Sequence, residues 1–100
     1  MKIPKKIQIM DTEIEVKFQK DLSSRENMTG AAEYRYHAIR LQNNVDGRYR
    51  KQSEIEQTFF HEVTHWILHK MNEDELRSNE KFVDVFSACL TQALRSGKII

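Results

Sequence analysis

No charge sign dominates this sequence: 16 Lys and Arg residues stand against 15 Asp and Glu, for a formal net charge of +1. That balance leaves no electrostatic footprint for nucleic acid. The basic residues that do gather, Lys2, Lys5 and Lys6 and then Arg48, Arg50 and Lys51, fall in expected loop or strand-edge positions and read as solvated surface. Cysteine is nearly absent too. Cys89 has no second thiol to pair with, and within Phe86-Ser87-Ala88-Cys89-Leu90 it reads as a small buried apolar residue in a reducing compartment. No apolar run approaches the length of a membrane span. The basic start MKIPKKIQIM is not followed by the continuous apolar segment of a secretory signal, so the expected location is cytoplasmic. Repeats, low-complexity tracts and linkers are missing as well. One hundred residues then leave room for one core, a single domain over residues 1–100. A chain of this size buries only about 60–70% of its unfolded surface, so its stability margin is small.

What is present is patterned. Ile7, Ile9, Ile14, Val16 and Phe18 alternate with polar residues around Met10-Asp11-Thr12-Glu13, which predicts a hairpin from about Lys5 to Phe18. Asn27 and Gly30 mark a loop before a third strand over Glu33–Leu41, whose alternation slips at Ala38-Ile39. Asn43-Asn44-Val45-Asp46-Gly47 supplies turn chemistry after it. Ser53 followed by Glu56 matches a capping box and predicts a helix from Glu54 to about Asn72. Its apolar face comprises Ile55, Phe59, Val63, Trp66 and Ile67. A second amphipathic helix is expected from Ser78 to Arg95, with Phe82, Val83, Phe86, Cys89, Leu90, Ala93 and Leu94 as its buried stripe and Gly97 at its end. Strands followed by helices argue for an α+β fold: a small antiparallel sheet of about three strands packed on two helices.

The first of those helices carries His61-Glu62-Val63-Thr64-His65. Two histidines four apart on a helix lie roughly 6 Å from each other on one face and can aim ring nitrogens at one ion. Zinc takes such ligands, and a catalytic zinc keeps a position open for water. Glu62 sits where its carboxylate can take the proton of that water. One buried histidine is commonly satisfied by a backbone carbonyl; two at this spacing with a glutamate between them are poorly accounted for that way. Zinc still needs a third protein ligand. His69 is one turn too far, since His61 and His69 are separated by roughly 12 Å along the axis. On the second helix, Glu80 and Asp84 lie one turn apart beside the apolar stripe. Glu80 is the favoured ligand, with Asp84, Glu75 and Glu73 as alternatives, and Asp84 can accept from the far nitrogen of a ligand histidine.

HEVTH followed by ExxxD on a later helix resembles the gluzincin metallopeptidases, and EKFVDVFSACL with WILH after the first motif is similar to the ImmA/IrrE-type metallopeptidases of phages and mobile elements. In length the chain resembles the minigluzincins. The resemblance covers about Glu54 to Leu94 by motif and the N-terminal half by architecture. It implies one zinc per chain on His61, His65 and Glu80, Glu62 as general base, and Asp84 behind a ligand histidine. It further implies a peptidase that hydrolyses peptide bonds by Glu-assisted attack of a zinc-bound water, in an active or latent form. The peptide or protein substrate would lie along an edge strand, for which Glu33–Leu41 is the candidate, with Tyr34, Tyr36, His37 and Tyr49 as possible contacts. Neither nucleic acid nor membrane is an expected partner. Asp84 stands where the ImmA type has asparagine, Thr64 where glycine is common, and there is no C-terminal lobe to bring an oxyanion-binding side chain. A catalytically silent zinc-binding regulatory or interaction domain is the alternative, with the 95–100 tail as the element that would block the cleft of a latent form.

Overall fold

The computed structural model describes residues 1–19, 29–45 and 48–100. Strands β1 (Lys6–Ile9) and β2 (Thr12–Gln19) form the expected hairpin, with Ile7 opposite Ile14 and Ile9 opposite Thr12. Met10 takes a left-handed φ of 54° at the turn. Period 2 works as the alternation demands: Ile14 and Val16 are buried, while Glu13, Glu15 and Lys17 point to water.

The third expected strand is two strands. β3 (Gly30–Glu33) runs antiparallel to β4 (Ala38–Gln42), and Tyr34–His37 is the turn between them, with His37 at φ 51°. The slip of alternation at Ala38-Ile39 is the trace of that reversal. β4 then lies parallel to β2, Val16 opposite Ile39 and Phe18 opposite Leu41, so the sheet is mixed, four-stranded and ordered β1-β2-β4-β3. It is therefore neither three-stranded nor wholly antiparallel. Partners on both sides of β4 bury Ala38 and Gln42 as well as Ile39 and Leu41. Asn27 lies outside the described residues. The turn chemistry at Asn43–Gly47 gives a small ladder, β5 (Asn44–Val45) with β6 (Arg48–Tyr49); Asp46 and Gly47 are also outside the described residues.

Helix α1 (Gln52–Lys70) starts two residues before the expected Glu54, with Lys51 rather than Ser53 at its N-cap and no side-chain cap. The capping box does not form because Glu56 is engaged elsewhere, accepting from the Met1 ammonium at 2.9 Å and from Arg95 at 3.1 Å. Ile14, Val16, Ile39 and Leu41 of the sheet pack on Ile55, Phe59 and Trp66 of α1, with Val63 partly buried beside them and Ile67 turned outward. Trp66 is 1% exposed, and its indole N–H donates to the Ala38 carbonyl at 3.1 Å, the partner a buried indole requires. Asn72, at φ 59°, follows the end of the helix. The polar connection contains one helical turn, α2 (Asp74–Arg77). Helix α3 (Glu80–Ser96) begins at Asn79, whose side chain accepts from the Phe82 N–H.

α3 presents an unexpected face to α1. The buried residues are Val83, Ser87 and Thr91, spaced by one turn each, while Val85, Phe86 and Cys89 are exposed. The helix contact is partly polar: Gln57 donates to Ser87 Oγ across it at 3.3 Å, while the Thr91 hydroxyl is satisfied within α3 by the Ser87 carbonyl at 2.6 Å. The aromatic stripe, with Phe82 and Phe86 stacked at 5.7 Å, therefore lies on the outer side, and Cys89 is not a core residue. Among the described residues, no helix is long and apolar enough to cross a membrane.

Candidate metal centre

The packing of α1 on the sheet leaves the His61 and His65 face toward α3, and the first turn of α3 brings Glu80 over it. Glu80 Oε2 is 3.4 Å from His61 Nε2, and Glu80 Oε1 is 3.2 Å from His65 Nε2. One ligand atom from each of His61, His65 and Glu80 falls within 4.8 Å of the others. Tetrahedral bonds of about 2.0–2.1 Å to zinc would separate neighbouring donor atoms by roughly 3.3 Å. The donor set is two imidazole nitrogens and a carboxylate, and its spacing fits such an ion. The other nitrogen of His61 is also occupied: Asp84 Oδ1 lies 3.0 Å from Nδ1, which fixes the ring with Nε2 toward Glu80. Burial holds the His65 imidazole below its ordinary pKa, with Glu80 opposing and His61 reinforcing that shift, so a neutral ring is favoured there. Glu73 and Glu75 are exposed in and before α2, and among the described residues neither belongs to the cluster.

Glu62 is 6% exposed. Burial, and then the negative charges of Glu80 and Asp84, push its carboxyl up to about 8. Two positive charges at the triad would draw it back down. Its burial depends on a residue that side-chain chemistry does not single out. A Cβ on Gly30 would sit 2.6 Å from Thr58 Cγ2, 3.1 Å from Glu62 Oε2 and 3.2 Å from the Arg40 carbonyl. Only glycine lets β3 lie this close to the helix.

A cleft of about 550 Å³ opens over these groups. Thr29 and Gly30 line one side, Gln57 and Thr58 come from α1, and Asp84 and Ala88 from α3, with His61, Glu62, His65 and Glu80 also reaching it. β3 is the terminal strand of the sheet order, and no described strand pairs with its outer edge. The expected strand over Glu33–Leu41 therefore does not border the site as a unit: Gly30–Glu33 is the edge and Ala38–Gln42 is central.

None of the aromatic candidates lines the cleft. Tyr34 stacks on His69 at 4.2 Å and meets Trp66 edge-on at 5.1 Å, beneath the Arg77 guanidinium at 5.0 Å. His69, so packed, is outside the cluster. His37 sits in the β3–β4 turn, 6.3 Å from the Trp66 ring, and Tyr36 and Tyr49 are exposed.

Sequence reading missed Arg50, which it placed on the solvated surface. Its guanidinium donates to the Gln42 carbonyl at 2.9 Å and Thr58 Oγ1 at 2.9 Å, with longer bonds to the Thr29 and Glu54 carbonyls. The only signal in the sequence is its place just before the helix. No protein-family model, curated protein or solved structure matches the chain.

Proposed function

We propose that this chain is a zinc-dependent peptidase that cleaves peptide bonds of a peptide or protein substrate. The observation that carries the proposal is the meeting of His61, His65 and Glu80 at zinc-like spacing with a buried Glu62 beside them in an open cleft. Zinc on these three side chains would supply an electrophile for the scissile carbonyl and an acidified water. The rest of the chemistry belongs to the chain. Glu62, its raised pKa drawn down by a cation on the triad, would be suited to accept a proton from the attacking water at a carboxylate oxygen and return it to the leaving nitrogen. Asp84 holds the Nδ1 proton of His61 and with it the ring orientation. The outer edge of β3 offers backbone groups to which an extended peptide can hydrogen-bond, beside the cluster and not at the Tyr34–His37 turn.

A zinc-binding regulatory domain without activity would need the triad but not Glu62. A buried carboxyl group next to two other carboxylates costs stability, and general-base chemistry would give it a use. The test has two arms. Purified protein reconstituted with zinc should hold about one ion per chain, and His61→Ala or Glu80→Gln should lose it; metal analysis showing none in the wild type ends the proposal. Wild type and Glu62→Gln are then incubated with a mixed peptide pool. Fragments from the wild type only are expected, whereas bound zinc without Glu62-dependent cleavage would assign the chain to the silent class.

A further inference from the structure

The width of the cleft is set by how closely the edge strand approaches α1, and one side chain bridges the end of the sheet to that helix. We infer that Arg50 is a positioning residue, a latch that fixes β3 against the first turns of α1 and so sets the groove that receives the substrate backbone. The inference rests on the peptidase reading for its substrate and on geometry alone for the latch.

Arg50 precedes α1, and its own N–H donates to the Asn43 carbonyl at 3.0 Å, which fixes its backbone to the end of the sheet. From there the guanidinium forks. One nitrogen, Nη1, donates to the Gln42 carbonyl at 2.9 Å and reaches the Thr29 carbonyl at 3.5 Å. The other, Nη2, donates to Thr58 Oγ1 at 2.9 Å and reaches the Glu54 carbonyl at 3.4 Å. The first pair of acceptors belongs to the β3–β4 end of the sheet, the second to the helix. The side chain is 10% exposed; the two short bonds are part-buried, and the two longer ones are exposed to water. A planar fork with fixed donor directions can span two elements at once; a lysine ammonium cannot reproduce it.

Thr58 is the point of leverage. Its hydroxyl accepts from Arg50 and donates to the Glu54 carbonyl, which leaves Cγ2 aimed at Gly30. The latch therefore draws the two elements together at the residues where glycine makes room, one helical turn before Glu62. Thr29, Gly30 and Thr58 all line the cleft. Arg50 touches neither the cluster nor the cleft interior, so its effect falls on the substrate groove and not on the metal.

The test compares wild type, Arg50→Ala and Arg50→Lys as zinc-loaded full chains. In Arg50→Ala, amide hydrogen exchange of Gly30–Glu33 should speed up by about tenfold or more while β1 and β2 are unchanged. KM for a cleaved peptide should rise by about tenfold with kcat altered by less than about threefold, and zinc affinity should stay within about twofold. Free guanidinium ion should restore much of the KM. Arg50→Lys, which keeps the charge and loses the fork, should fall close to Arg50→Ala in KM; if Arg50→Ala does not fold, Arg50→Lys carries the comparison. Unchanged β3 exchange overturns the latch whatever the activity, and a fall in kcat or zinc affinity with constant KM overturns its assignment to the substrate groove. Absence of cleavage by the wild type defeats the peptidase reading instead, and the exchange experiment still decides the latch.

Discussion

Gly30→Ala is the sharpest test of how the site is built. The added carbon would lie 2.6 Å from Thr58 Cγ2, 3.1 Å from Glu62 Oε2 and 3.2 Å from the Arg40 carbonyl. Relaxed carbon–carbon contacts are about 3.5–4.0 Å, so strand and helix must part by roughly 1 Å at this point. Overpacking of that kind costs about 1–3 kcal/mol, which for a domain of this size lowers Tm by about 5–20 °C. Thr58→Ser removes only Cγ2 and keeps the hydroxyl that Arg50 and Glu54 use. Alone it should cost about 1 kcal/mol for one buried methyl. Together with Gly30→Ala it should recover about 1–2 kcal/mol relative to the sum of the single changes. Urea denaturation of the four proteins at constant m measures the coupling. A Gly30→Ala protein within about 0.5 kcal/mol of wild type, or strict additivity in the double variant, would refute the close approach as the reason for glycine at this position.

The remaining predictions address separate features. Glu56 is held below its ordinary carboxylate value of 4.5 by the Met1 ammonium and Arg95, against the opposing effect of burial. Its contribution is therefore present above that value and lost as pH falls through the lowered one. Glu56→Gln should cost about 1–2 kcal/mol near neutrality, less than a fully buried pair because Arg95 is half exposed, and the difference from wild type should close on acidification. Zinc at a free concentration 100-fold above its Kd should add about 2.7 kcal/mol to unfolding free energy. His69→Ala should bind zinc as wild type does, and calorimetric titration showing a lost site there would move His69 into the cluster. Cys89 should react with a thiol reagent in the native protein within about tenfold of its rate in urea; slow native labelling would contradict an outward-facing α3 stripe.

The parts of the site that lie one turn apart on a helix were legible in the sequence. His61 and His65 share a face by helical spacing, His69 is removed from it by axial rise, and Glu80 with Asp84 repeats the same logic on the second helix. These relations are local, so the period of the helix is enough to state them. What was not legible depends on which elements meet. Glu33–Leu41 has the composition of a strand throughout, yet it reverses at His37 because β4 inserts between β2 and β3. Gly30 and Arg50 acquire their importance from contacts across the fold. The α3 stripe misled for the opposite reason: Phe82 and Phe86 are the most hydrophobic residues there, but close approach to α1 favours Ser87 and Thr91.

That partly polar contact has a thermodynamic consequence. α3 packs on α1 through one fully buried apolar side chain, Val83, beside the buried hydroxyls of Ser87 and Thr91, and is the natural first unit to detach. Its candidate ligand Glu80 and the α1 candidate His65 enclose a loop of about 15 residues, and a cross-link across a loop of that length removes about 3 kcal/mol of chain entropy from the open state in the simplest account. A metal held by both helices would act as a removable staple. Chelation should then loosen α3 before the sheet, dividing one cooperative transition into two.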